Sequence, residues 1–279
     1  MAGITAAQVK SLREQTGLPM MECKVALVDA DGDAEQAKLI LQKKYKGKMG
    51  ARAENVTAEG RIGLYISDNQ DTGGIVQLQC ETAPVAKTDQ FIEVADLIAK
   101  AVATQSESHP STDTVRTFAS PRGNGKTLAD EITEVFGLVR ENLKLAECRK
   151  ITGAYLCGYV HHDGKSGVLI ALDETPDPES AGTDLCHHVT FANPLAVTRD
   201  DVPADEVEKV RQLARETAES EGKPAQIIDK IVNGKVNAFY AENALMEQEH
   251  VKVPKTKVGD VLKAAGVSAV TDLARMKLG

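Results

Sequence analysis

One pattern occurs twice in this chain, and it constrains the fold more than any other feature. Gly74-Ile-Val-Gln-Leu-Gln-Cys80-Glu-Thr82 is echoed by Gly167-Val-Leu-Ile-Ala-Leu-Asp173-Glu-Thr175, with Thr82 and Thr175 93 residues apart. Each copy is an apolar run of strand length, with Tyr65 or Tyr159 in a comparable place upstream. Each is followed by proline, Ala83-Pro84 in the first and Pro176-Asp177-Pro178 in the second, and then by a helical pattern. A hairpin, a proline-bearing turn and a helix are therefore expected twice. Two copies are too few for a solenoid, which needs at least three repeats to bury a continuous core. The pattern predicts an α+β protein whose core is a pair of related subdomains with antiparallel sheets.

The remaining segments are arranged around that pair. Residues 1–46 read as three short helices. Thr5 and Gln8 form a capping box, Val9 and Leu12 share a face, and Gly17 stops the first helix. Pro19 suits the first turn of the second, where Met21, Val25 and Val28 fall at helical spacing. Asp33 caps the third, which is expected to bury Ala37, Ile40 and Leu41. The basic stretch Lys43–Arg52 then reads as a solvated linker, which predicts N-terminal helices that move independently of the core. Arg61–Ser67 and Ile75–Cys80 read as strands, followed by a helix carrying Phe91, Ala95, Ile98 and Val102. Residues 105–126 read as a polar loop and 128–147 as a long helix with Ile132, Val135, Phe136, Val139 and Leu143. Residues 204–221, with Val207, Val210, Leu213 and Thr217 on one side, are broken by Gly222-Lys-Pro224 from a second helix bearing Ile228, Ile231 and Phe239. So charged a pair is expected to be an antiparallel hairpin that projects into solvent. Val251-Lys-Val253 reads as a strand, followed by a helix at 257–265 and a last strand near 269–277. The units expected are 1–55, 56–150 and 151–279, with a helical hairpin inserted at 201–246.

The chain of 279 residues is long enough for two or three compact units. Its net charge of −8 argues against a broad nucleic-acid or anionic-membrane surface, and the absence of tryptophan with 4% aromatic residues argues against a base-stacking platform. Five dispersed cysteines without a CxxC spacing, charged residues where a signal peptide would be apolar, and no bilayer-length apolar run point to a reduced, cytoplasmic protein. Catalytic constellations are missing as well. Gly123-Asn-Gly-Lys-Thr127 lacks the earlier glycine of a phosphate loop, having Ser120 there, and no buried strand precedes it. His161-His162-Asp163 sits at an expected hairpin turn, and the adjacent His187 and His188 diverge on a helix, a poor metal geometry. No metal, cofactor or catalytic residue is expected.

Several stretches together resemble bacterial elongation factor Ts. They are Val9–Gly17, Met20-Met21-Glu-Cys23 through Asp33, Ala58-Glu-Gly60, Cys80-Glu-Thr82 with Val85-Ala-Lys87, Gly222-Lys-Pro224 and Ile231–Lys235. The resemblance covers almost the whole chain, and the first stretch is the most specific. It implies a small three-helix, UBA-like N-terminal module, a two-subdomain core and the protruding hairpin. It also implies an exchange factor that binds elongation factor Tu, in GDP-bound and nucleotide-free forms, and promotes GDP release by displacing magnesium- and nucleotide-site elements. Neither nucleic acid nor membrane would be a direct partner. Carried over by position, Thr82, Ala83, Pro84 and Val85 form the magnesium-dislocating turn, and Arg13, Met20, Met21 and His188 are partner contacts. Met21 fits core packing equally well, and His188 fits an ordinary helix-surface histidine.

Two departures qualify that picture. The family usually has Thr-Asp-Phe-Val where this chain has Thr82-Ala83-Pro84-Val85, so neither a carboxylate nor a large ring is supplied. The alternative reading, a binding-only partner or holdase with weakened exchange, rests on that difference. The sequence also ends at Lys277-Leu-Gly279, near the last expected core strand, where many relatives carry a further helical module; a narrower interface would follow.

Overall fold

A computed structural model describes residues 4–177 and 179–279; residues 1–3 and Pro178 of the second proline-bearing turn lie outside them. The repeated runs become the central strands of two three-stranded antiparallel sheets. β1 (Glu59–Ile66), β2 (Thr72–Cys80) and β3 (Lys144–Thr152) form the first, in the order β1-β2-β3. β4 (Tyr155–Val160), β5 (Ser166–Leu172) and β6 (Val270–Lys277) form the second, in the order β4-β5-β6. The sheets pack face to face through Ile62, Ile75 and Ile151 on one side and Leu156, Leu169 and Met276 on the other. The outer face of each is covered by helices. The two central strands are thus buried on both faces, with Val168, Ile170 and Leu172 turned to one core and Leu169 and Ala171 to the other. That double burial explains why these strands read as continuous apolar runs.

Three N-terminal helices follow the expected caps. In α1 (Ala6–Thr16), Thr5 and Gln8 bond reciprocally, and Gly17 closes the helix at a positive φ of 69°. α2 (Met20–Asp29) follows at once, and Asp33 accepts from the Glu35 and Gln36 amides to start α3 (Ala34–Ala51). The short α4 (Ala83–Ala86) carries the turn after β2, and α5 (Asp89–Ala103) lies across the first sheet. α5 comes so close that a Cβ at Gly63 or Gly74 would run into the carbonyl of Ala95 or Ala99. α6 (Thr112–Arg116) and α7 (Leu128–Val139) complete this half. In the second half α8 (Ser180–Ala192) and α11 (Val258–Ala264) cover the sheet. Between them α9 (Ala204–Ser220) and α10 (Ala225–Asn243) pair along their lengths. Val207 clusters with Val236 at one end of that pair, and Ala218 with Ile228 at the other, the order that antiparallel helices require.

Several expectations are corrected. The basic stretch is not a linker: α3 continues to Ala51 and buries Tyr45 and Met49 while its lysines face solvent. The N-terminal helices are not loosely tethered either. Their core is continuous with that of α5 and α7, Tyr45 meets Phe136 edge-on at 6.4 Å, and Gln42 donates to Asp130 at 2.6 Å. In α2 the buried face is Cys23, Ala26 and Leu27, and Met21, Val25 and Val28 are exposed. The helix expected over 128–147 stops at Val139, where Arg140 adopts a left-handed φ of 61°, and the chain turns into β3. Residues 105–126 are not all loop, because α6 buries Val115 and Pro110 receives the Cys148 thiol. Leu213 is exposed, and Ala214 and Ala218 form the α9 seam. Val251-Lys-Val253 is a turn closed between His250 and Thr256, not a strand.

Adding one methyl at Gly63 forces β1 and α5 apart, so Gly63→Ala is expected to cost about 2–4 kcal/mol, measured by urea unfolding. A second prediction concerns the joint between α2 and the core. Burial pushes the Glu22 carboxyl up, but hydrogen bonds from Tyr45, Lys44 and Arg140 outweigh it and hold its pKa at about 2 against an ordinary 4.5. The folded pKa is depressed, so this stabilisation is complete above 4.5 and is lost as pH falls towards 2. Glu22→Gln should lower stability at neutral pH by roughly 1–2 kcal/mol and flatten the acid side of the stability profile.

Candidate functional site

The turn after β2 is exposed at its tip and held from behind. Thr82 is extended (φ −131°, ψ 149°) and opens α4, with Ala83 and Pro84 in the first turn. Proline is tolerated there because that amide has no intrahelical partner. Thr82 and Pro84 face solvent, and Val85 packs half-buried against the first core. Behind the tip, the Glu141 carboxylate accepts the Thr82 amide at 2.9 Å and the Thr82 hydroxyl at 2.6 Å. Glu81 accepts the Asn142 amide at 2.6 Å and the Asn55 side-chain amide at 3.0 Å, and the Asn142 bond leads the effects that hold its carboxyl below the usual range. The Cys80 thiol donates to the Thr82 carbonyl, and burial, reinforced by the Glu141 charge, pushes its pKa up to about 12. It therefore stays a neutral thiol and is no nucleophile.

A second element of the surface lies on α2. Met20, Met21, Val25 and Val28 are all at least half exposed, and Met21 reaches 66%. Four large apolar side chains on one short helix form a patch that a partner would cover. Arg13 is exposed on α1. Met21 is therefore no core residue in the free chain. Glu22, the neighbour of Met21, reaches Arg140 at 2.7 Å, and Arg140 adjoins the Glu141 that grips the turn. The patch and the turn thus share one scaffold.

His188 is placed otherwise. It is fully buried (0% exposed), with Nε2 2.8 Å from Gln248 Oε1 and Nδ1 accepting the Val251 amide at 3.3 Å. Its ring stacks on His250 at 5.5 Å. Both nitrogens are occupied inside the protein, so the imidazole is not on the surface of the free chain. On the same helix His187 is half-buried, edge-on to Tyr159, and Phe191 is 84% exposed. Phe191 carries no motif, but it falls about 200° around the helix from buried Val189, and that position is its readable signal. Glu141 had no such signal, being one acid between two elements.

A family model described as "Elongation factor TS" matches residues 81–279, a stretch that opens on this turn. Elongation factor Ts of Micrococcus luteus is 39% identical over 287 aligned residues that take in all of both chains. That of Thermobifida fusca is 39% identical over 284, covering 100% of this chain and 99% of its own. That of Bordetella petrii is 40% identical over 269, covering 96% and 89%. The chain belongs to the elongation factor Ts family. It is accordingly a factor of translation elongation, and the α+β architecture with two small antiparallel sheets agrees with that membership.

The nucleotide-like and metal-like motifs make internal contacts. Gly123–Thr127 is a loop closed by the Ser120 amide on the Lys126 carbonyl, with Lys126 paired to Glu134 at 2.5 Å. His161 faces the Tyr159 hydroxyl at 3.0 Å, beside a turn at Gly164. Among the described residues no group of His, Cys, Asp and Glu is arranged to hold a metal, and no helix is long and apolar enough to cross a membrane. A cleft of about 750 Å³ lies between α3 and α7, but its rim cations Lys38, Arg122 and Lys126 are already paired with Glu35, Glu93 and Glu134.

Burial is the leading cause that depresses the pKa of both His188 and His250, so the unfolded chain takes up these protons first. Stability is then full above the ordinary imidazole value of 6.5 and falls as pH drops below it. Urea midpoints measured between about pH 7.5 and 5.5 should decline in the wild type and decline less in His188→Asn/His250→Asn.

Proposed function

We propose that this chain accelerates GDP release from elongation factor Tu by binding it, with no bond made or broken by its own side chains. The observation that carries this reading is the turn Thr82-Ala83-Pro84-Val85, exposed at the tip and clamped from behind, together with the uncovered apolar stripe of α2, linked to it through Glu22, Arg140 and Glu141. A stiff projection flanked by an adhesive patch suits a protein that pushes a partner's loop aside. The thermodynamics are those of linkage. Every 1.4 kcal/mol by which the factor favours the nucleotide-free over the GDP-bound partner lowers GDP affinity about tenfold.

In this reading residues 1–55, a UBA-like helical module, and 56–150 engage the partner's GTPase domain. Residues 151–279 hold its separate β domain, with 201–246 as the projecting hairpin. Arg13, Met20 and Met21 are contacts on the first side. On the second, His188 acts from within, by shaping the turn at Val251 and the helix that presents His187 and Phe191. The setting is cytoplasmic, and no cofactor is used. A binding-only factor with weakened exchange is the second reading. It is favoured by one observation: Ala83 and Pro84 offer neither a carboxylate nor a ring at the tip.

Stopped-flow release of fluorescent GDP from elongation factor Tu separates the two. Accelerated release is expected; binding without acceleration selects the second reading, and no binding overturns both. Met20→Ser/Met21→Ser should raise the half-saturating concentration by about tenfold while changing the unfolding midpoint little, because both side chains are more than half exposed. Ala83→Asp/Pro84→Phe should raise the maximal rate. An unchanged rate would mean that backbone shape alone does the work at this turn.

A further inference from the structure

Arg140, Glu141 and Asn142 close α7 and lead into β3, and their hydrogen bonds run to three different places. Arg140 sits in the left-handed conformation, and its guanidinium donates to Glu22 on α2 at 2.7 Å. Its carbonyl accepts from Arg52, just past α3. Glu141 takes both donors of Thr82. Asn142 donates its amide to Glu81 at 2.6 Å, and its side chain to the Ala53 carbonyl at 3.3 Å and the Asn55 carbonyl at 2.9 Å. Glu81 in turn receives Asn55 at 3.0 Å and Arg52 at 3.5 Å. Three consecutive residues therefore tie the N-terminal helices and the segment after them to the turn at 81–82.

We propose that Arg140-Glu141-Asn142 is a positioning unit: it sets the pose of the 82–85 turn and makes that pose depend on the seating of the N-terminal helices. Other contacts seat its far side and its carbonyl: Val85 and buried Ala86 pack on the core, and the Cys80 thiol donates to the Thr82 carbonyl. α4 is a single turn to which Thr82 offers no side-chain cap, and Glu141 takes the Thr82 amide and hydroxyl where the chain leaves β2. A carboxylate that accepts two donors from one residue fixes both the place and the direction of the backbone leaving β2. Because Arg140 and Glu141 are joined by one peptide unit, a shift of α2 at Glu22 moves the backbone that carries the clamp. Two sites are coupled when both bias one shared element, and this tripeptide is that element. The proposal rests on the exchange reading for its functional consequence, not for its structural half.

Three variants and two measurements test it. Glu141→Ala removes the clamp. Arg140→Gly keeps the left-handed backbone, which glycine adopts freely, and removes only the link to Glu22. Hydrogen–deuterium exchange of the free proteins is read over residues 79–88, and fluorescent-GDP release from elongation factor Tu is titrated for maximal rate and half-saturating concentration. Glu141→Ala should speed amide exchange across 79–88 by about tenfold and lower the maximal rate by about tenfold, with less than about threefold change in half-saturating concentration. Glu141→Gln, which keeps one acceptor, should recover part of the protection. Arg140→Gly should raise exchange in 79–88 by about threefold, although the side chain it removes hydrogen-bonds Glu22 on α2 rather than that segment. Unchanged exchange over 79–88 in Glu141→Ala overturns the positioning role. Arg140→Gly effects confined to α2 overturn the coupling. A rise spread over all peptides with a lowered unfolding midpoint overturns both in favour of general destabilisation. If the wild type fails to speed GDP release, the exchange reading falls, and the exchange data on 79–88 still decide the positioning unit.

Discussion

The burial of one sheet against the other is the interaction on which the rest of the structure depends. Each three-stranded sheet is too small to stand alone in water. Packed face to face, they remove Ile62, Ile75, Ile151, Leu156, Leu169 and Met276 from solvent and leave each outer face to a set of helices. The glycines mark how tight that packing is. A Cβ at Gly167 would meet the Ile62 side chain, and one at Gly158 would meet Leu64 and Ile66. The two halves are therefore joined across a close-packed, largely apolar interface.

The N-terminal helices are drawn into the same framework. Their apolar faces are continuous with α5 and α7, and a buried-edge ionic cluster of Glu22, Tyr45, Lys44 and Arg140 fixes their orientation. Removing a partner from such a cluster is costly because it strands a partly desolvated charge. An exposed α2 stripe held on a fixed base costs less entropy to dock than one on a swinging module.

If the chain acts by binding, as proposed, it needs no perturbed acid or nucleophile, and the strongly shifted groups here are structural. Cys80 is kept neutral beneath the turn, Glu22 is kept ionised at the helix joint, and His188 and His250 are kept neutral in a stacked pair. What it needs is a shape that survives contact. The clamp of Thr82 by Glu141 and the bonds of Asn142 to residues 53 and 55 give the exposed turn a backbone path defined before any partner arrives.

The sequence by itself determined the paired α+β core, the caps of α1 and α3, the helical pair at 204–243 and the position of the turn. These are local facts: period, capping residues and glycine or proline breaks act over a few residues and do not need the rest of the chain. Other matters only the tertiary structure decided. α2 carries two apolar stripes, Cys23-Ala26-Leu27 and Met21-Val25-Val28, and spacing cannot tell which one meets α1 and α3. The lysines of α3 mask Tyr45 and Met49, so a buried helix reads as a linker. β3 follows α7 with no breaker strong enough to be read, because Arg140 ends the helix in a conformation usually left to glycine or asparagine. His188 became an interior residue when the 248–251 segment folded over it, 60 residues further along the chain. In each case the deciding partner is distant in sequence, and the energy that fixes the outcome is burial, which exists only once the fold has formed.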